Sequence, residues 1–212
     1  MYFVDENERY IEITNAPENN IPSLWNEFCT KYKGYEAVFT YQDTLAPVEV
    51  LTKGIGAQLL ENSTIMELSP VKFITHANHE ITVITYENYD NFAKFHDNHD
   101  SNMYWNSQRI LAEFEKWRIF AISRNGHITG YAMMQPGLPG SKPKQSLIFC
   151  VTADNINECA SLLSATASCS FELGHDSVKY FAETDIEMEA TQLIGFCKVG
   201  SFVSYKVNIN PN

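Results

Sequence analysis

The dipeptide Asn125-Gly126 constrains the fold of this chain more than any other local feature of the sequence. It separates two runs rich in apolar and β-branched residues, 117–123 and 127–135. Both central residues of a type I′ turn need a positive φ, which Asn and Gly adopt most readily. The sequence therefore predicts a tight β-hairpin here, and with it an antiparallel part of a sheet.

Strands and helices alternate on both sides of this hairpin. Upstream, the patterns predict a strand at 81–85 and helices that begin at Tyr89 and after Ser107. Downstream, the predicted elements are a strand at 146–152, a helix at 157–173, a strand at 178–183, a short helix at 186–194 and a closing hairpin at 197–207. This order predicts a mixed α/β (α+β) fold, with a mixed central sheet flanked by helices.

The N-terminal third of the chain repeats the order of this downstream part. Its predicted elements are a strand at 9–14, a helix at 21–33, a strand at 36–41, a helix at 47–54 and a hairpin at 57–68. Matching order and lengths indicate an internal duplication, although any α/β chain shows some alternation of this kind. We therefore predict two domains, a partial copy at residues 1–72 and a complete one at 76–212.

The order of elements resembles that of the GNAT (acyl-CoA N-acyltransferase) superfamily. The stretch from Trp117 to Tyr131 is similar to the family's second and third strands, and Leu193-Ile194-Gly195-Phe196 followed by Val199-Gly200 is similar to its closing motif. The resemblance implies that residues 76–212 form a complete acyltransferase-like domain and that residues 1–72 repeat its second half.

The resemblance also implies a site for acetyl-CoA as co-substrate. In the family, the acyl-CoA lies where the fourth and fifth strands separate, and its pyrophosphate contacts backbone N–H groups at the start of the next helix. The corresponding positions are Cys150, Val151 and Thr152 on the strand and Asn155, Ile156 and Asn157 after it. Residues 152–158 lack the glycines and the basic residue of the family's phosphate loop, and Thr191 stands where many members have a proton-donating Tyr.

Several side chains are candidates for proton transfer. Glu183, at the end of the predicted fifth strand, could take a proton from an amine, or be an ordinary exposed acid. Tyr205, on the closing strand, could donate a proton or line the acceptor site, or simply be a packed aromatic; Tyr131 is a weaker candidate of the same kind. His96 and His99 could share a helical face, but no third ligand follows at a recognisable spacing, so no metal site is predicted.

The function predicted from the resemblance is acyl transfer from CoA, with acetyl expected, to a primary amine of a small molecule or peptide by direct attack in a ternary complex. The missing glycines and tyrosine leave an alternative, a catalytically inactive GNAT-like protein that binds a ligand or partner. The melting temperature measured with and without acetyl-CoA would distinguish the two, because a ligand that binds the native state raises it.

The net charge and the cysteine content indicate which classes of partner and which cellular compartment to expect. The net charge of −11 repels phosphate backbones and anionic lipids, so neither nucleic acid nor a membrane is an expected partner. Five widely spaced cysteines without a CxxC motif, and a start that lacks a basic, apolar leader, predict a cytoplasmic protein. The partial copy would leave a sheet edge to be covered, by the complete domain or by another chain, so a homodimer stays open.

Overall fold

The chain forms two compact units in the computed structural model, which describes residues 1–99, 103, 105–137 and 144–209. The first unit comprises Met1–Thr64 and Gly200–Asn212, and the second comprises Ile65–Val199. These bounds reflect packing, whereas the predicted boundary between residues 72 and 76 reflects a repeated order of elements. The assignment of two copies of one fold therefore stays a prediction.

The first unit is a sheet with a helix on one face. In spatial order its strands are β1 (Tyr2–Asp5), β2 (Tyr10–Thr14), β3 (Glu36–Gln42), most of β10 (Cys197–Asn208) and the first part of β4 (Gln58–Leu68). β2 and β3 are parallel and are connected through α1 (Ile21–Lys31), while β10 runs antiparallel to β3. A π-helical turn, Val50–Gly54, follows β3. The core contains Ile11, Phe28, Phe39 and Leu51, all fully buried.

The second unit contains the predicted hairpin and the crossover that follows it. Its elements are β5 (Thr82–Val83), α2 (Tyr89–His99), α3 (Ser107–Ala112), β6 (Arg118–Arg124), β7 (His127–Gln135), β8 (Gln145–Thr152), α4 (Ile156–Glu172), β9 (Ser177–Ala182) and α5 (Asp185–Leu193). Neighbouring strands from β5 to β8 are antiparallel, and β8 pairs with β9 in parallel. The end of β4 lies beyond β9.

Two apolar clusters join helices to the strands of the second unit. One joins α2 and α3 to the sheet through residues such as Phe92, Ile110 and Trp117. The other joins α4 and α5 to it through residues such as Leu163 and Ala190. The mixed α/β fold with flanking helices is thus confirmed. None of the helices in the described part of the chain has the length and apolar content required to cross a bilayer.

The hairpin is confirmed, but the two predicted closing hairpins are wrong. Asn125 and Gly126 have φ values of 53° and 78°, as a type I′ turn requires. Residues 57–68 and 197–207 instead lie largely within the single long strands β4 and β10. Gly200 does not turn the chain, because it lies within β10 and allows a close approach of Asp43, whose carboxylate a Cβ would overlap.

Candidate functional site

β8 and β9 separate before either strand ends. Their parallel pairing runs from Gln145–Ser177 to Ile148–Tyr180, and no further pair is formed between them within residues 144–209. β8 nevertheless continues to Thr152 and β9 to Ala182. Over its last residues β8 therefore pairs with a strand on the β7 side alone, and an opening forms at the carboxyl ends of the two parallel strands. In α/β sheets, ligands bind in the crevice outside the carboxyl ends of the strands.

A β-bulge in β8 begins this separation. Met133 of β7 pairs with Cys150 and Met134 pairs with Ile148, so Phe149 is an extra residue on β8. A bulge bends its strand and increases the local twist. It also changes which face each side chain occupies: Ile148 belongs to the cluster under α4, whereas Cys150 belongs to the cluster under α2 and α3.

The corresponding strand pair of the first unit is closed. β2 and β3 pair up to Thr14–Thr40, and the N–H of Asn15 then donates to the carbonyl of Thr40 at 2.8 Å. The side-chain oxygen of Asn15 accepts from the Gln42 N–H and the Thr44 hydroxyl, both at 3.1 Å. The pairing of the parallel strands in the first unit thus continues to the end of β2, whereas in the second unit it stops before either strand ends.

The first turn of α4 follows the end of β8 directly and carries a buried charge. The side chain of Asn155 caps the helix by accepting from the N–H of Glu158 at 3.1 Å. The fully buried Glu158 carboxylate accepts through Oε1 from the Asn155 amide at 2.7 Å and from the Arg124 guanidinium. Its other oxygen is buried without a hydrogen-bond partner in the described chain. The N–H groups of Ile156 and Asn157 belong to the same turn, where helix geometry supplies no partner.

Four residues connect the opening to the face covered by α2 and α3. The thiol of Cys150, in the last four residues of β8, donates to the Tyr131 hydroxyl at 3.4 Å. That hydroxyl lies 2.7 Å from Nδ1 of His96, whose Nε2 lies 2.7 Å from the carbonyl oxygen of Trp105. His96 and Tyr131 are fully buried, and Cys150 is half-buried. These contacts place a thiol, a phenol and an imidazole in one hydrogen-bonded row.

Of the two stronger candidates for proton transfer, Glu183 is exposed and Tyr205 is packed. Glu183 is exposed just after β9, and its N–H donates to the Glu187 carboxylate at 2.6 Å. Tyr205 lies in the core of the first unit, opposite Phe39 and 6% exposed. Its burial fits the packed aromatic that the sequence left open. The catalytic roles of both residues stay predictions.

His96 and His99 have different surroundings. His96 belongs to the row described above, while the ring of His99 stacks on Phe95 with 4.2 Å between centroids. Within the described residues, no group of three or more His, Cys, Asp and Glu side chains could hold a metal ion.

Thr191 is buried and its hydroxyl donates to the carbonyl of Met188 at 2.8 Å, a local helix contact.

Solved structures of other proteins share this architecture. A GCN5-related N-acetyltransferase from Sphaerobacter thermophilus superposes with a TM-score of 0.67 at 11% identity, over 100% of this chain and 77% of that one. The chain has the GNAT fold. A tandem GNAT protein from the clavulanic acid biosynthesis pathway gives a TM-score of 0.57 at 10% identity, over 96% of this chain and 76% of that one. The N-myristoyltransferase of Saccharomyces cerevisiae with bound myristoyl-CoA gives 0.56 at 8%, over 82% of this chain and 54% of that one. No protein-family model and no curated protein sequence matches the chain.

Within this GNAT fold, the structure brings together some predicted residues and adds two that the sequence did not indicate. Cys150, Val151 and Thr152 lie at the strand opening, and Asn155, Ile156 and Asn157 at the start of α4, as predicted for the second unit. Their contact with acetyl-CoA stays a prediction. Arg124 and Glu158 were missed because they lie 34 residues apart in the sequence, and only the folded chain brings the end of β6 next to the first turn of α4. The hairpin register places Arg124 at the end of β6 next to the turn, which was the one available signal.

Proposed function

We propose that this chain is an acyl-CoA-dependent N-acyltransferase whose second unit, Ile65–Val199, holds the acyl thioester between β8 and β9. The observation that carries the proposal is the early end of the β8–β9 pairing at Ile148–Tyr180. The equivalent pair of the first unit is closed by Asn15, so we assign the substrate site to the second unit alone. The bound myristoyl-CoA in a protein of similar fold supports an acyl-CoA ligand.

The proposed ligand would use two sets of backbone groups. Peptide groups of Cys150, Val151 and Thr152 on the open side of β8 would pair with the amide-containing pantetheine arm. The N–H groups of Ile156 and Asn157, at the positive end of the α4 dipole, would contact the diphosphate. Arg124 brings to this end of the unit the cation that residues 152–158 lack, and half of its side chain is exposed.

The proposed acceptor is a primary amine, and acetyl is the proposed acyl group. A chain with a net charge of −11 attracts cationic amines more readily than anionic substrates. Glu183, exposed at the end of β9, is the proposed base that takes the proton from the amine. All five cysteines are free thiols, which fits a reducing compartment, and we propose the cytoplasm.

The N-terminal residues 1–72 are proposed to be a partial copy of the same fold. The similarity to a tandem GNAT protein supports this interpretation. With its strand pair closed, the first unit would have a structural role or bind a ligand elsewhere, and it would not hold an acyl-CoA between β2 and β3.

A pair of proline variants tests the proposed diphosphate site. Ile156 is the first residue of α4, and Asn155 before it is extended (φ −155°, ψ 168°), so Ile156→Pro removes one N–H with little backbone strain. Asp185→Pro is the matched control, because Asp185 begins α5 after the extended Thr184. Isothermal calorimetry with acetyl-CoA should show about tenfold weaker binding for Ile156→Pro, from the loss of one charge-assisted hydrogen bond. Asp185→Pro should bind as the natural sequence does.

Two results would contradict the proposal. Equal affinity of Ile156→Pro and Asp185→Pro would remove the diphosphate from the start of α4. If acetyl-CoA at saturating concentration failed to raise the melting temperature of the natural chain, the acyltransferase assignment would fail, and the inactive ligand-binding alternative would replace it.

A further inference from the structure

The hydrogen-bonded row from Cys150 to His96 has a direction that its chemistry fixes. A carbonyl oxygen only accepts hydrogen bonds, so Nε2 of His96, 2.7 Å from the Trp105 carbonyl, must carry its proton. In the neutral ring Nδ1 is then an acceptor, and it receives the Tyr131 hydroxyl at 2.7 Å. The Tyr131 oxygen can in turn accept from the Cys150 thiol. With a neutral ring, the protons of Cys150 and Tyr131 therefore both point toward His96, and the Nε2 proton of His96 points on to Trp105.

The rings of this row are held in place by packing. His96 stacks on Phe92 with 5.3 Å between centroids and a 17° angle between planes. Tyr131 meets the same Phe92 ring edge-on at 5.2 Å. Both polar rings are fully buried, while Cys150 at the end of the row is half-buried on the open part of β8. The partly exposed residue of the row is thus Cys150, on the part of β8 where the proposed function puts the acyl thioester.

We propose that Cys150 accepts the acyl group from acyl-CoA before the amine does, with Tyr131 and His96 as the proton relay. This inference rests on the proposed function and replaces direct transfer by two displacements. It requires no residue outside the second unit.

The first displacement is a thiol–thioester exchange. The Cys150 sulfur forms a bond to the acyl carbon, while its proton passes to the Tyr131 oxygen and the proton of Tyr131 passes to Nδ1 of His96. The bond between the acyl carbon and the CoA sulfur breaks. Tyr131 donates the former Cys150 proton to the leaving CoA sulfur and recovers its own proton from His96. The products are free CoA and an acyl-Cys150 thioester.

The second displacement transfers the acyl group to the amine. The amine nitrogen forms a bond to the acyl carbon, and the bond to the Cys150 sulfur breaks. Glu183, the proposed base, takes one proton from the amine nitrogen and releases it to solvent, while the Cys150 sulfur regains one proton from solvent, so the row returns to its starting state. The net reaction is an amide and CoA from an amine and acyl-CoA, with no oxidant or reductant.

Single-turnover acylation in the absence of an amine tests the proposal. The full chain is mixed with acetyl-CoA, quenched in acid, and analysed by intact-mass spectrometry, neutral hydroxylamine and peptide mapping. The expected result is one acetyl group, removed by hydroxylamine and mapped to Cys150. Cys197→Ser controls for uncatalysed acylation, because the Cys197 thiol is exposed and 3.3 Å from the Lys72 ammonium. Cys169→Ser, on α4, is a half-buried cysteine control. Both controls should be acylated at Cys150 normally.

Relay variants distinguish proton transfer from a structural role. Tyr131→Phe keeps the buried ring and removes only the hydroxyl, and His96→Gln retains a donor for the Trp105 carbonyl. Each should slow the acylation of Cys150 by about 100-fold, the usual effect of losing acid–base assistance. The dissociation constant for acetyl-CoA should not change. Because the two residues act in one relay, the double variant should be no slower than either single variant.

The possible failures are distinguishable. Tight binding of acetyl-CoA without acylation of Cys150 would overturn this inference and leave the proposed function intact. Acylation at Cys197 alone would overturn it in the same way. If Tyr131→Phe and His96→Gln acylated Cys150 at the natural rate, the relay would be wrong. A chain that did not bind acetyl-CoA would refute the proposed function, and this inference with it.

Discussion

The Arg124–Glu158 ion pair allows a quantitative test of how the start of α4 is stabilised. Glu158 is 0% exposed, and its Oε1 has two donors, the Arg124 guanidinium and the Asn155 amide. Its Oε2 has no partner in the described chain. The variant Arg124→Gln removes the compensating charge and leaves a buried carboxylate with the Asn155 amide as its remaining donor.

The structure sets the expected cost between two limits. Removing one partner of a fully buried ion pair costs about 3–5 kcal/mol, because the remaining charge is left uncompensated. A fully exposed pair contributes about 0.2–1 kcal/mol. Half of the Arg124 side chain is exposed, so water already screens its charge. We therefore expect Arg124→Gln to lower the unfolding free energy by about 2 kcal/mol.

Urea unfolding monitored by circular dichroism measures this cost. Glu158→Gln and the double variant complete a thermodynamic cycle, whose coupling energy should be about 1–2 kcal/mol. Lys116→Gln is the matched control, because Lys116 and Glu113 form a surface pair with 63% and 40% exposed side chains. It should cost less than about 0.5 kcal/mol. If Arg124→Gln cost no more than Lys116→Gln, the reasoning about a buried, compensated carboxylate would be refuted.

Three further predictions concern single positions. Burial, with a smaller effect of a neighbouring phenol, raises the pKa of Tyr41 from 10.0 to about 12, so its neutral form stabilises the fold below pH 10. Stability should fall between pH 10 and about 12 by up to about 2.7 kcal/mol more than in Tyr41→Phe, and parallel curves in alkaline unfolding would contradict this. Asn15 has a φ of 48°, a backbone conformation that strains Ala but not Gly. Asn15→Ala should therefore be about 1 kcal/mol less stable in urea than Asn15→Gly, which loses the same side-chain hydrogen bonds. Equal stabilities of the two variants would argue against strain. A Cβ on Gly130 would lie 2.7 Å from the Thr152 carbonyl oxygen, so Gly130→Ala should cost about 1–3 kcal/mol by thermal unfolding, whereas Gly54→Ala, with 3.6 Å to its nearest atom, should be nearly neutral. Similar melting temperatures for the two alanine variants would show that β7 can move away from β8.

The elements that the sequence predicted well are those whose signal is local. The hairpin around Asn125-Gly126 depends on turn chemistry between adjacent residues, and the helix predicted at 157–173 agrees with α4 within one residue at each end. The short edge strand β1, Tyr2–Asp5, was missed because four residues carry too little alternation to be recognised. The predicted hairpins at 57–68 and 197–207 are wrong, because each stretch lies largely within one continuous strand, in which polar residues between apolar ones do not turn the chain.

The candidate site could be located from the sequence only in part. The family pattern placed the end of β8 and the start of α4, since both follow from the order of elements. The contacts of the row could not be predicted, because His96 and Tyr131 are 35 residues apart and Tyr131 and Cys150 are 19 apart. Their meeting depends on strand register, and the bulge at Phe149 shifts that register by one residue. Regular alternation would have placed Ile148 and Cys150 on the same face.

The surplus residue Phe149 has two separable effects on β8. It shifts the register between β7 and β8 at the point where the β8–β9 pairing ends, and it places the Ile148 and Cys150 side chains in different core clusters. A chain one residue shorter, without Phe149, could keep Cys150 opposite Met133 while the pairing of β8 with β9 continued beyond Ile148. An insertion or deletion at this one position could thus convert an open cleft into a sealed sheet and leave every nearby reactive group in place. Chain length would then decide, independently of side-chain chemistry, whether the unit can admit a ligand.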